Sequence, residues 1–146
     1  MKKKFITRIS LTLFIVFGFF VFAGDTKSEE CLSYEPAKVR LTGTIVRETF
    51  PGPPEYRSIE KGDAPEAFWI LKLEKPVCVN GKVEDVDESE TNVKAIQLVF
   101  DEGSDYNRYR PLLHKKVSVS GTLSHAFTVH HRSRVLLEVT GIKPVK

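Results

Sequence analysis

The sequence predicts an all-β fold, with five strands and one short helix around a single small core. Two observations carry this. Apolar and polar residues alternate in five separate runs, the period of two that marks half-buried strands. The only stretch with helical spacing falls between the third and fourth runs. A chain of 146 residues suits one domain, and no internal repeat divides it.

The first strand is AKVRLTGTIV (37–46), with Val39, Leu41 and Ile45 on one face and Lys38, Arg40, Thr42 and Thr44 on the other. Gly43 lies on the inner face, where a strand can bend sharply. A loop rich in proline follows, TFPGPPEYRSIEKGD (49–63). The second strand is AFWILKLEKPVCV (67–79), with Trp69, Leu71 and Leu73 opposite Lys72 and Glu74. Pro76 confines the end of that strand to an edge or a bulge. Asn80-Gly81 signals a tight turn, and the acidic run VEDVDESE (83–90) reads as a solvated loop, lacking the residue order of a calcium loop. The third strand is VKAIQLVF (93–100). In DEGSDYNRYRPLLH (101–114), Ser104 offers an N-cap and Asp105 a first-turn acid. Tyr106, Tyr109 and Leu113 share a face, and Pro111 keeps the helix short. The fourth strand is KKVSVSGTLSHAFTV (115–129), with Val117, Val119 and Leu123 inward and Gly121 at another bend. RVLLEVTGI (134–142) is the fifth. This order, with its one helix and two mid-strand glycines, predicts a small five-stranded OB-like Greek-key barrel over residues 37–146.

The N-terminal part differs in kind. Lys2, Lys3, Lys4 and Arg8 precede the uncharged run Ile9–Ala23. That run is 15 residues long, shorter than the roughly 20 a spanning helix needs. Residues 1–23 therefore read as a secretory signal peptide cut after Ala23, against the alternative of an uncleaved anchor. The protein is then expected to be periplasmic or secreted, with no membrane attachment after cleavage. Residues 24–36 form a leader carrying Cys31. Of 22 basic residues the signal holds four and of 19 acidic residues none, so the mature chain carries 18 against 19, a net charge of −1. No basic field remains for a phosphate backbone, which speaks against nucleic acid as a partner.

Cys31 and Cys78 are the chain's two cysteines. An even count in an oxidising compartment predicts a disulfide, worth about 3–4 kcal/mol on the chain-entropy model. Two buried thiols or a metal pair are the alternatives, although two sulfurs make a poor metal site.

In an OB-like barrel the loops joining strands 1–2 and 4–5 flank the ligand face. The first is the Pro-rich loop, in which Pro51, Pro53 and Pro54 reduce the entropy lost on ordering. The second is SHAFTVHHRSR, which holds His125, His130 and His131. The expected ligand-binding residues are thus Phe50, Tyr56, Asp63, His125, His130 and His131, with Tyr56 stacking and Asp63 and the histidines hydrogen-bonding. The ligand, whether small molecule, glycan or protein, stays open. Another reading makes the Pro-rich loop a barrel lid, with Phe50, Tyr56 and Ile59 in the core. A third is capture of zinc or copper through His130, His131 and a loop carboxylate, but HExxH, CxxC and repeated HxH are all missing. A fourth is a small hydrolase, without a G-x-S-x-G context to support it. No cofactor is called for.

CLSYEPAKVRLTGTI, FPGPPEYRSIEKGD, WILKLEKPVCV, KKVSVSGTL and HAFTVHH together resemble the bacterial domain-of-unknown-function family 4431. The likeness spans about residues 31–142 and rests on the two cysteines, the PGPP-Tyr loop with Gly62-Asp63, and His130-His131. It implies a small exported bacterial protein and brings no activity. It points to Phe50, Tyr56, Gly62, Asp63, His125, His130 and His131 as the residues to test.

Overall fold

The structure, a computed structural model, describes residues 30–81, 88–101 and 103–145. Residues 1–23, read above as a signal peptide, and most of the acidic run 83–90 lie outside them. Six strands form one sheet: β1 (Leu32–Ser33), β2 (Lys38–Pro51), β3 (Pro65–Asn80), β4 (Glu90–Val99), β5 (Lys116–His125) and β6 (Val135–Pro144). Among the described residues one α-helix, α1 (Gly103–Tyr109), lies between β4 and β5, the third and fourth long strands. The all-β class and the position of the single helix are as the sequence predicts.

The pairings return on themselves. β2 is antiparallel to β3 and to β5, β5 is antiparallel to β6, β6 is parallel to β4, and β4 is antiparallel to β3. Each long strand therefore has two long neighbours, and β3 also pairs with β1. Gly43 lies where β2 is shared, opposite Leu73 of β3 and Val117 of β5. A Cβ there would run into the Lys72 carbonyl, and one on Gly121 into the Glu138 carbonyl. The mid-strand glycines thus permit close strand approach.

Alternation fills one interior with Leu41, Ile45, Leu71, Ile96, Val117, Val119, Leu123 and Leu137. Full burial of each such aliphatic side chain contributes about 1.5–3 kcal/mol. Trp69, Phe100 and Tyr109 extend the core towards α1.

Several boundaries differ from expectation. β2 runs on to Pro51, because its ladder with β3 continues to Pro51 opposite Pro65. β5 stops at His125, where Ala126 N–H bonds to the Arg134 carbonyl and the chain turns, so residues 126–129 are loop. α1 includes Ser104 in its first turn instead of starting after it. At Arg110 the helix tightens into a 3-10 turn (Arg110–Leu112) that contains Pro111. The β3–β4 ladder shifts register between Lys72 and Val77, the bulge that Pro76 calls for. β1 was not anticipated. It pairs parallel to β3 at Val79 and Asn80, beside the Cys31–Cys78 disulfide, which is present with Cα atoms 4.7 Å apart.

Candidate functional site

The β2–β3 loop is organised from within. Asp63 Oδ1 accepts the Glu55 N–H at 2.8 Å, and Oδ2 accepts those of Arg57 and Ser58 at 2.7 Å each. Its side chain is buried, and these bonds, the Ser58 N–H foremost, hold its pKa below the usual carboxylate value against the opposing effect of burial. A 3-10 turn (Ile59–Lys61) closes on Gly62, whose φ of 109° favours glycine. Asp63 therefore pins its own loop, and its carboxylate is already committed. Phe50, Tyr56 and Ile59 do not join the hydrophobic core, and Ile59 is exposed. The loop is stiffened, but not as a lid filled by those three side chains.

The β5–β6 loop folds down onto the outer face of β4. Arg132 N–H donates to Gln97 Oε1 at 2.7 Å, and Gln97 N–H donates to Ser133 Oγ at 2.8 Å. At the tip, His131 Nδ1 accepts the Phe127 N–H at 3.2 Å, and the two rings meet edge-on. Burial first, and then the neighbouring His130, lower the His131 pKa. That favours the neutral ring the bond needs. Phe127 and Val129 remain 82% and 66% exposed.

Arg132 joins the two loops. Its Nη2 donates to the Pro51 carbonyl at 2.6 Å and lies 3.7 Å from Glu66 Oε2. The guanidinium carbon lies 5.4 Å from the Tyr56 ring centroid, 5.5 Å from Phe68 and 5.8 Å from Phe50. Such cation–π contacts are worth about 0.5–2 kcal/mol each. Arg132 Nε and Glu66 Oε2 are buried without a hydrogen-bond partner among the described residues, so the junction holds unspent polar capacity. Gly52 fits beneath because a Cβ there would come within 2.6 Å of the Glu66 side chain. On the rim, Tyr56 Oη lies 3.3 Å from the His130 ring nitrogens, with the rings perpendicular.

The six expected residues therefore divide. Phe50, Tyr56 and His130 gather around Arg132. Asp63 and His131 hold their own loops. His125 stands apart at the end of β5, its Nε2 3.4 Å from Glu90 Oε1 and its ring edge-on to Tyr34. Burial and then the charges of Glu90 and Glu88 push the Tyr34 hydroxyl up to about 12. β5 ends at His125, so His130 and His131 lie in the loop beyond it and not on the strand. Among the described residues no group of three or more His, Cys, Asp or Glu could hold a metal. Sequence reasoning missed Arg132, Glu66, Phe68 and Gln97. Phe68 did carry a signal, as an aromatic with the parity of Lys72 and Glu74 on the polar face of its strand.

These features define a small disulfide-bridged all-β domain whose two distinctive loops are joined by a largely covered arginine. Residues 95–143 match the model of the family described as Domain of unknown function (DUF4431), which bears out the family resemblance over that stretch. The match runs from within β4 to within β6 and includes Arg132, His125, His130 and His131, while the Pro-rich loop precedes it. No curated protein matches the chain.

Proposed function

We propose that this chain is an exported binding module built on an OB-like barrel, and that the joined β2–β3 and β5–β6 loops are its recognition surface. The observation that carries the reading is the Arg132 junction, which locks both loops into one surface on the outer face of β3 and β4. Loops at these positions flank the ligand face of OB-folds. The β5–β6 loop carries the most exposed large apolar side chains among the described residues. Exposed Phe127 and Val129 stand there in the same loop as His130, and Tyr56 contacts that histidine. Aromatic anchors of this kind serve protein recognition, so a protein partner fits best. Export is supported by the Cys31–Cys78 bridge and by the signal-like residues 1–23. Among the described residues no helix is long and apolar enough to cross a membrane. Metal capture and hydrolysis gain no specific observation.

A photo-crosslinking residue placed at 127 or 129 in the producing cell should give one discrete adduct, lost when Tyr56→Ala is added. The same residue at 143, at the far end of β6, should give none. The reading fails if 127 and 129 both stay silent in protein exported at normal level, or if 143 gives the same adduct.

A further inference from the structure

The β2–β3 ladder has a second side. Phe68 and Glu66 project towards Arg132, while Arg47 and its register partner Trp69 project to the opposite face. There they line a cleft of about 390 Å³ with Ala67, Tyr106, Arg110 and Leu113. That volume lies within the range of small-molecule sites.

Two features of the cleft ask for a ligand. Arg47 continues the inward parity of Leu41 and Ile45, so alternation delivers a guanidinium to a position where an apolar group would extend the core. Arg110 reaches the same cleft from the helical segment. Among the described residues neither is ion-paired, although Arg132, Arg134, Lys72 and Lys116 are. Two like charges at one cleft oppose each other unless an anion lies between them, and guanidinium forks suit a carboxylate. Beside them the Tyr106 ring is fixed edge-on by Trp69 and Phe100, at centroid distances of 5.6 and 4.6 Å, yet is 37% exposed. An aromatic ring held in this way and partly open to solvent can stack with a second ring.

We infer that this cleft binds a small ring-bearing carboxylate, with the acid group on Arg47 and Arg110 and the ring on Tyr106. An acid sugar and an aromatic acid share this chemistry. The site is independent of the loop junction, so either can fail alone.

Trp69 is the chain's one tryptophan and forms part of the cleft wall, so its emission reports on the site. The mature disulfide-bonded protein is titrated with glucuronate, benzoate and sulfate. A saturating change with at least one ring acid is expected, weakened at least about tenfold in Arg47→Gln and in Arg110→Gln. Both arginines are exposed, so these variants should melt as the parent does. Tyr106→Ala should lose the preference for the ring acid over sulfate. Saturation by glucuronate alone assigns an acid sugar, and by benzoate alone an aromatic acid. The inference is overturned if neither saturates, if sulfate binds as tightly as both, or if the double arginine variant binds undiminished.

Discussion

A carboxylate that accepts three backbone N–H groups is stabilised in its ionised form, and Asp63 does this inside a loop with no regular ladder of its own. Its folded pKa lies below the ordinary value, which is about 3.9 in an unfolded chain. The stabilisation is therefore complete above that ordinary value and is lost as pH falls through the lower folded one. Amide exchange at Glu55, Arg57 and Ser58 should rise across that acid window. Asp63→Ala should show the same loosening at neutral pH, as faster tryptic cleavage after exposed Arg57 and Lys61. Cleavage as slow as in the parent would remove Asp63 from this role. The sequence marks Asp63 as special by its place after Gly62, but a lone carboxylate looks the same whether it faces a ligand or its own backbone. Arg132 was illegible for a related reason. Its worth comes from Pro51, Phe50 and Tyr56, about 80 residues earlier in the chain, and no local pattern records them.

Strands are legible where one face is buried. The alternation in 37–46 and 134–142 identifies β2 and β6, because each inward residue meets the same core. Their ends are less legible, since β2 continues to Pro51 through partners on β3 and β5 stops where its loop turns onto β4. The parallel β4–β6 pairing, with α1 and β5 between those strands in sequence, leaves no trace in periodicity. Mid-strand glycines suggest bends, and here their demand is stricter. At Gly121 the β5–β6 ladder shifts register, and the Glu138 carbonyl occupies the space a Cβ would need. Gly121→Ala should therefore destabilise the domain by about 1–3 kcal/mol, as overpacking does, with a lowered urea midpoint at unchanged m-value. A midpoint equal to the parent's would show that β6 can shift aside freely.

At the scale of the whole molecule, the N-terminal arm is fastened to the domain at several points. The Cys31–Cys78 bridge joins it to β3, β1 adds a two-residue parallel ladder, Glu35 N–H bonds to the Leu123 carbonyl, and Tyr34 is buried in the core with its hydroxyl on the Glu88 carbonyl. The bridge spans 47 residues of sequence, for which loop-closure entropy gives about 4 kcal/mol. Because Tyr34 packs against His125, the arm supports the root of the β5–β6 loop, whereas Arg132 is held from the other side by Pro51 and Gln97. Cys31→Ser/Cys78→Ser should thus lose about 4 kcal/mol in chemical denaturation and still fold. Its hydrogen exchange should rise at Glu35, Leu123 and His125 while Arg132 N–H keeps its protection. On the proposed export with cleavage after Ala23, the protein recovered from its host should have the mass of residues 24–146 less two hydrogens. Equal loss of protection at both places would mean that the arm also braces the Arg132 junction, and that the disulfide is a condition for the order of the proposed recognition surface.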